Sequence, residues 1–204
     1  MSQIIIRVEV PGIVLHKSIL LFFFNQMTLT KHVKSLNRTY NESMTTAKYP
    51  SDSEVTMTEI VLPQHTNALG TIFGGTVMGW IDIAAAIAAS RHSGAVCVTA
   101  SVDELHFLRP LRLGDIVNIR ARLSAVHRTS CEVNVVVTAE NPAKNEKFKT
   151  TEATLTFVSI DDKGKPIPMP QLLSQTEEDK SHLANSKIRK EHREALRKAM
   201  MKKT

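Results

Sequence analysis

Cysteine is scarce in this sequence of 204 residues: only Cys97 and Cys131 occur, each inside a run that reads as a strand. They lack the paired spacing that a zinc site or a disulfide framework needs, so both are expected as buried free thiols in a reducing compartment. A glycine-rich nucleotide fingerprint, an internal repeat and a metal-ligand cluster are missing as well, so no metal and no organic cofactor are expected. The apolar run Ile19 to Phe24 falls far short of the roughly 18–20 residues of a membrane-spanning helix. It also makes a poor secretory signal, because the approach to it begins without positive charge, Pro11 interrupts it and no small-x-small cleavage site follows.

What is present suits one soluble domain with added sequence: 42% of residues are hydrophobic and 23% charged. The net charge of +6 is uneven. From Gln171 to Thr204 nine Lys or Arg face five Asp or Glu, a surplus of four in the tail alone. That segment is rich in helix formers, and Glu191 and Glu194 can pair with basic residues three or four positions away. Its acids dilute the field and it has no aromatics for stacking, so a solvated or subunit-packing helix is expected rather than a nucleic-acid or membrane contact. Met27 and Met44 are each candidate initiators. The expected organisation is an extension outside the domain over 1–43, a domain over 44–170 and a basic helical tail over 171–204.

Within the domain, VTMTEIVL from Val55 has the β-branched content of a strand, and PQHTNALG then forms a loop. Phe73 to about Arg91 is the one long helical candidate, opened by Gly74 and Gly75 and closed by Gly94. Apolar and small residues cover nearly its whole circumference, which predicts burial on all sides. Four strand-like runs follow. In one of them Val117, Ile119, Ala121, Leu123 and Ala125 alternate with polar residues, the period of an antiparallel strand with one solvated face. Strand, helix and four strands make an α+β layer solution, with short connections favouring a meander. The prolines of DDKGKPIPMP close the domain.

One ionisable group, Asp82, stands in the stretch NALGTIFGGTVMGWIDIAAAIAAS from Asn67 to Ser90. Joined to it are F-L-R-P at Phe107 to Pro110, G-D-x-V at Gly114 to Val117 and T-E-A-x-x-T-F-V at Thr151 to Val158. In these motifs, from about Val55 to Pro170, the chain resembles the hotdog-fold acyl-CoA thioesterases. The resemblance implies a hotdog fold, a curved five- to six-stranded antiparallel sheet wrapped around one long central helix. It also implies hydrolysis of acyl-CoA to a free acid and CoA by a cytoplasmic homodimer or trimer of dimers, with Asn67 of one subunit working beside Asp82 of the other. A non-catalytic acyl-CoA sensor is the alternative, although residues 1–54 show no helix-turn-helix.

The residue types suit that chemistry. Thioester hydrolysis needs a base to activate water and donors where the carbonyl oxygen gains charge. Asp82 is the candidate base, or a direct nucleophile, or a structural partner for backbone amides. The N–H groups of Gly74 and Gly75 open the helix and can face an oxyanion, while a packing role is also open to both glycines. Asn67 can hold the water or polarise the carbonyl, or simply shape a turn. Phe73, Met78, Trp80 and Ile81 are pocket or core candidates. Arg109, Arg128, Thr129 and Ser130 can contact the CoA phosphates or belong to solvated turns. His65 invites a dehydratase reading but lacks the motif those enzymes carry, and reads as a loop residue. His106 and His127 are given no role.

Overall fold

The computed structural model describes residues 46–142 and 144–201, so the expected extension 1–43 lies outside the described residues. Five strands form one antiparallel sheet: β1 (Val55–Ile60), β2 (Val96–Phe107), β3 (Ile116–Val126), β4 (Ser130–Asn141) and β5 (Glu146–Ile160). Helix α1 (Gly74–Ser93) joins β1 to β2, and helix α2 (Glu177–Met201) follows β5. The spatial order is β1-β3-β4-β5-β2. Only β3, β4 and β5 form the expected meander, because tight turns link them. The path from β1 to β2 runs instead through a helix of 20 residues, about 30 Å long, which carries β2 to the far edge.

The alternation read from the sequence sets the inner face. Val117, Ile119, Ala121 and Leu123 are buried opposite Val133, Val135 and Val137, and β5 adds Ala153, Leu155 and Phe157. Against this face α1 lays Val77, Ile81, Ala84, Ala85, Ala88 and Ala89, all buried. Four alanines let the helix backbone approach the sheet closely. Burial on all sides does not occur: Phe73, Met78, Ile83 and Ile87 stay exposed because the sheet reaches only one side of the helix. Asp82 is accordingly half-buried rather than enclosed.

Both ends of α1 are defined by backbone chemistry. Phe73 enters with extended dihedrals and no side-chain cap, and Gly94 leaves in the left-handed region (φ 71°) with its N–H donating to the Ser90 carbonyl. Lys48 Nζ donates to the carbonyls of Arg91 and His92 at 3.1 and 2.8 Å, placing a cation on the negative helix end. His92 is fully buried, with Nε2 3.0 Å from the Pro170 carbonyl, and burial pushes its pKa down. The proline-rich segment folds back on one end of the sheet, beside the β3–β4 turn, where Ile167 N donates to Ser159 O and Met169 N to Arg128 O.

The outer face of the sheet is not simply solvated. Helix α2 docks on it through charge, while the apolar Ile188 and Met200 point to solvent. Arg122 bridges Glu54 (3.0 Å) and Asp179 (2.9 Å), and Arg189 and Arg193 hold Glu132, whose side chain is 0% exposed. The tail therefore packs on its own sheet. Thr176 and Asp179 form a reciprocal cap at its start: Asp179 N donates to Thr176 Oγ1, and Thr176 N to Asp179 Oδ2.

Burial opposes ionisation of Asp179, but the Arg122 guanidinium and the amides of Gln175 and Thr176 outweigh it and hold the pKa down to about 2, against an ordinary 3.8. The ionised form thus stabilises the fold fully above pH 3.8, and that contribution is lost as the pH falls through about 2. Asp179→Ala should cost about 1–2 kcal/mol in urea unfolding at pH 7. The gap to wild type should narrow as the pH is lowered through this window; a gap independent of pH would contradict the assignment.

Candidate functional site

The loop before α1 is organised by Asn67. Its Oδ1 accepts from Leu69 N (2.9 Å), Thr71 N (3.3 Å) and Thr71 Oγ1 (3.2 Å), and its backbone N–H donates to Thr71 O (2.8 Å). Asn67 thus does shape the turn, by accepting bonds rather than by adopting a left-handed conformation. All these side-chain bonds use the oxygen. The Nδ2 amide has no hydrogen-bond partner among the described residues, and the oxygen bonds fix its direction.

Gly74 and Gly75 follow at the helix start. The first intrahelical bonds belong to Thr76 and Val77, which donate to Phe73 O, so the two glycine N–H groups have no partner within the helix and lie at the positive end of its dipole. The packing role applies to one of them only: a Cβ on Gly74 would lie 3.4 Å from Phe107 Cζ, whereas one on Gly75 would meet nothing within 4 Å. Beside them runs a groove of about 320 Å³ lined by Ile72, Gly74, Val77, Phe107, Arg109 and Leu111. Phe73 is half exposed at the same helix end, and Ile81 is core. His65 accepts from Leu62 N through Nδ1 and packs edge-on against Trp80, as a loop residue would.

Asp82 lies seven residues beyond Gly75, two turns along the same helix face, or about 10 Å. Its Oδ1 accepts a 2.6 Å bond from Thr99 Oγ1 on β2; among the described residues Oδ2 has no partner. Thr99 was not singled out by the sequence, where a Thr in a β-rich run carries no signal beyond strand propensity. A reacting atom must sit about 3 Å from both base and oxyanion donors. Two helical turns separate Asp82 from Gly75 within one chain, more than that arrangement spans.

The arginine candidates also separate. Phe107, just before Arg109, pairs with Thr151, while Ser130 pairs with Val158 at the other end of β5. Arg109 therefore accompanies the helix start, with its guanidinium over the Phe148 ring at 5.5 Å. Arg128, Thr129 and Ser130 lie near the level of Thr99, which pairs with Phe157. The candidate residues thus fall into two groups, one with Phe107 and Thr151 and the other with Thr99 and Val158. Among the described residues no three His, Cys, Asp or Glu side chains come together as a metal site requires, and no helix is long and apolar enough to cross a membrane.

Residues 69–145 match the family model described as "Thioesterase superfamily". The chain is 37% identical over 160 residues to the uncharacterized acyl-CoA thioester hydrolase YkhA of Bacillus subtilis, a span of 75% of this chain and 93% of that protein. It is 35% identical over 133 residues to mouse acyl-coenzyme A thioesterase 11, covering 65% of this chain but 22% of that protein. The rat cytosolic acyl coenzyme A thioester hydrolase is 33% identical over 141 residues, 68% of this chain and 37% of its own length. Among solved structures, an apo-hexameric acyl-CoA thioesterase is 40% identical with a TM-score of 0.71, covering 74% of this chain and 96% of its own. The Staphylococcus aureus acyl-CoA hydrolase, solved with butyryl coenzyme A and coenzyme A, is 36% identical with a TM-score of 0.71, over 77% of this chain and 96% of that one. Its alanine variants replace an Asn, an Asp 15 positions later and a Thr 17 positions after that.

A cysteine thiolate is another nucleophile able to attack a thioester carbonyl, and neither cysteine here is set up for it. Burial pushes the thiols of Cys97 and Cys131 up, so neither is a thiolate at neutral pH. Cys131 is fully buried, and Cys97 Sγ lies 3.2 Å from Ser93 Oγ. In the folded protein at pH 8 both thiols should resist Ellman's reagent and react at once after unfolding in guanidinium chloride. Rapid labelling of the native protein would contradict this.

Proposed function

The chain belongs to the thioesterase superfamily, and on that premise we propose that it is an acyl-CoA thioesterase that works as a homodimer or a trimer of dimers, hydrolysing acyl-CoA to a carboxylic acid and coenzyme A. The observation that carries this reading is the division of the site into two halves. Asn67, Asp82 and Thr99 stand 15 and 17 positions apart, as do the three residues replaced in the S. aureus hydrolase.

Asp82 lies on a helix whose outer side exposes Met78, Ile83 and Ile87, and the edge strand β2 exposes Val96, Val98 and Val102. Exposed apolar side chains on a helix and on an unpaired edge strand call for a cover. A second copy related by a two-fold axis, β2 against β2, covers them and brings the helix start of one chain to the Thr99 level of the other. The half-sites then complete each other, and the hexameric neighbours support such an assembly. The name of the rat cytosolic relative supports a cytoplasmic location.

In the assembled site Asp82, held by Thr99, takes a proton from water as its oxygen attacks the thioester carbonyl. The Gly75 N–H, with Gly74 beside it, stabilises the oxyanion. The Nδ2 amide of Asn67 donates to the carbonyl or the water. The tetrahedral intermediate collapses, the C–S bond breaks, and the leaving sulfur receives the proton held by Asp82, giving acid and free thiol. The apolar groove by Phe73 and Phe107 takes the acyl group, while Arg128, Thr129 and Ser130, with Arg109 from the opposite half, meet the CoA phosphates.

Thiol release from acyl-CoAs of graded chain length tests this. Asp82→Ala and Asn67→Ala should each lose about a hundredfold or more in kcat, and Gly75→Ala should fold normally yet turn over poorly. Coexpressed Asp82→Ala and Asn67→Ala subunits should regain about a quarter of wild-type activity, since roughly half of random dimers are hybrids with one intact site. Full activity in Asp82→Ala would overturn the mechanism. Tight acyl-CoA binding without thiol release would make the protein a sensor.

A further inference from the structure

Strand β2, which carries Thr99, is irregular at two places. Thr99 pairs with Phe157 and Ser101 with Thr156, so two steps on β2 match one on β5, and the same happens again between Val102 and Glu104. Residues two apart in a strand normally share a face. The first bulge breaks that rule and sends Thr99 towards α1 and Ser101 to the outer face. Closing this bulge by a one-residue slip would turn Thr99 away from Asp82.

The second bulge contains Asp103, whose side chain is 6% exposed. Its Oδ1 accepts from Ser101 Oγ (2.8 Å), and its Oδ2 from Thr156 Oγ1 (2.7 Å) and from Arg193 Nη1 of helix α2 (2.6 Å). The other Arg193 nitrogen donates to the buried Glu132 at 2.8 Å. One arginine of the C-terminal helix therefore ties the bulged stretch of an edge strand to the middle of the sheet.

We propose that Arg193 and Asp103 are positioning residues for hydrolysis, holding the bulged register of β2 that keeps the Thr99 hydroxyl on Asp82. The proposal rests on the reading that Asp82 activates water. It gives the basic tail a role in turnover that solvation or simple packing would not.

The test is steady-state thiol release by the full-length protein carrying Arg193→Ala, Arg193→Lys, Asp103→Asn, Thr99→Val or Arg193→Ala with Thr99→Val, beside Asp82→Ala. Arg193→Ala should lower kcat about tenfold, since small misplacements of a reacting group are costly, with KM within about twofold. Arg193→Lys should recover part of the loss. In the Thr99→Val background Arg193→Ala should cost little more, because both act through one contact. If Arg193→Ala does not fold, Asp103→Asn, which keeps the size and removes the charge, carries the same expectation. Wild-type kcat in both Arg193→Ala and Asp103→Asn, or an equal loss with and without the Thr99 hydroxyl, would overturn the proposal. An active Asp82→Ala would instead remove the mechanism beneath it, so the two failures read differently.

Discussion

A single sheet of five strands reaches around only one side of a helix, and the chain is built on that constraint. Helix α1 presents alanines and branched residues to the sheet and still carries Met78, Ile83 and Ile87 on the side left over. Apolar surface of that extent next to an unpaired strand edge is what a soluble protein normally covers. The carboxylate Asp82 sits at the border between the covered and uncovered sides. The fold thus places the one acid of α1 beside apolar surface that its own sheet leaves uncovered, and the proposed chemistry draws on both.

The outer face follows a different rule. Glu132 and Asp103 lose most of their contact with water, an arrangement that costs free energy unless each charge is matched. Arg189 and Arg193 supply two bonds and one bond to Glu132, and Arg193 adds one to Asp103. Such a network adds less to stability than its number of bonds suggests, because desolvation offsets much of the attraction. Its geometry is nonetheless demanding. A guanidinium shared between two carboxylates fixes the spacing of the strands that bear them, which an apolar patch of equal area would not do.

Much of the fold was legible from periodicity. The alternation from Val117 to Leu123 marked the buried face of β3, but it fails at Ala125, which a bulge after Leu123 sets opposite Glu132 on the outer face, and Gly94 marked the end of α1 at a left-handed residue. The meander was read one strand too far: β2 pairs with β5 instead of β3, because residues 108–115 between β2 and β3 cross to the other side of the sheet rather than closing a tight turn. Circumferential apolarity of α1 was read as burial, although it is equally the mark of a helix with one face on its own sheet and another awaiting a neighbour. The tail's charge pattern predicted a helix, but Asp179, Arg189 and Arg193 pair with β3, β4 and β2, partners that no local spacing reveals.

The site divides in the same way. Asn67, Gly74, Gly75 and Asp82 could be chosen from the sequence because they stand together in one motif that resembles the hotdog thioesterases; a lone Asp or a pair of glycines carries no such signal. By itself the sequence determined which residues are apolar, where the chain turns, and that one acid would interrupt a small-residue helix, since these depend on neighbours a few positions away. Only the tertiary structure decided that Thr99 holds Asp82 and that Arg193 reaches Asp103. Those are distances between elements, set by helix rise, strand register and bulges, and no linear spacing contains them.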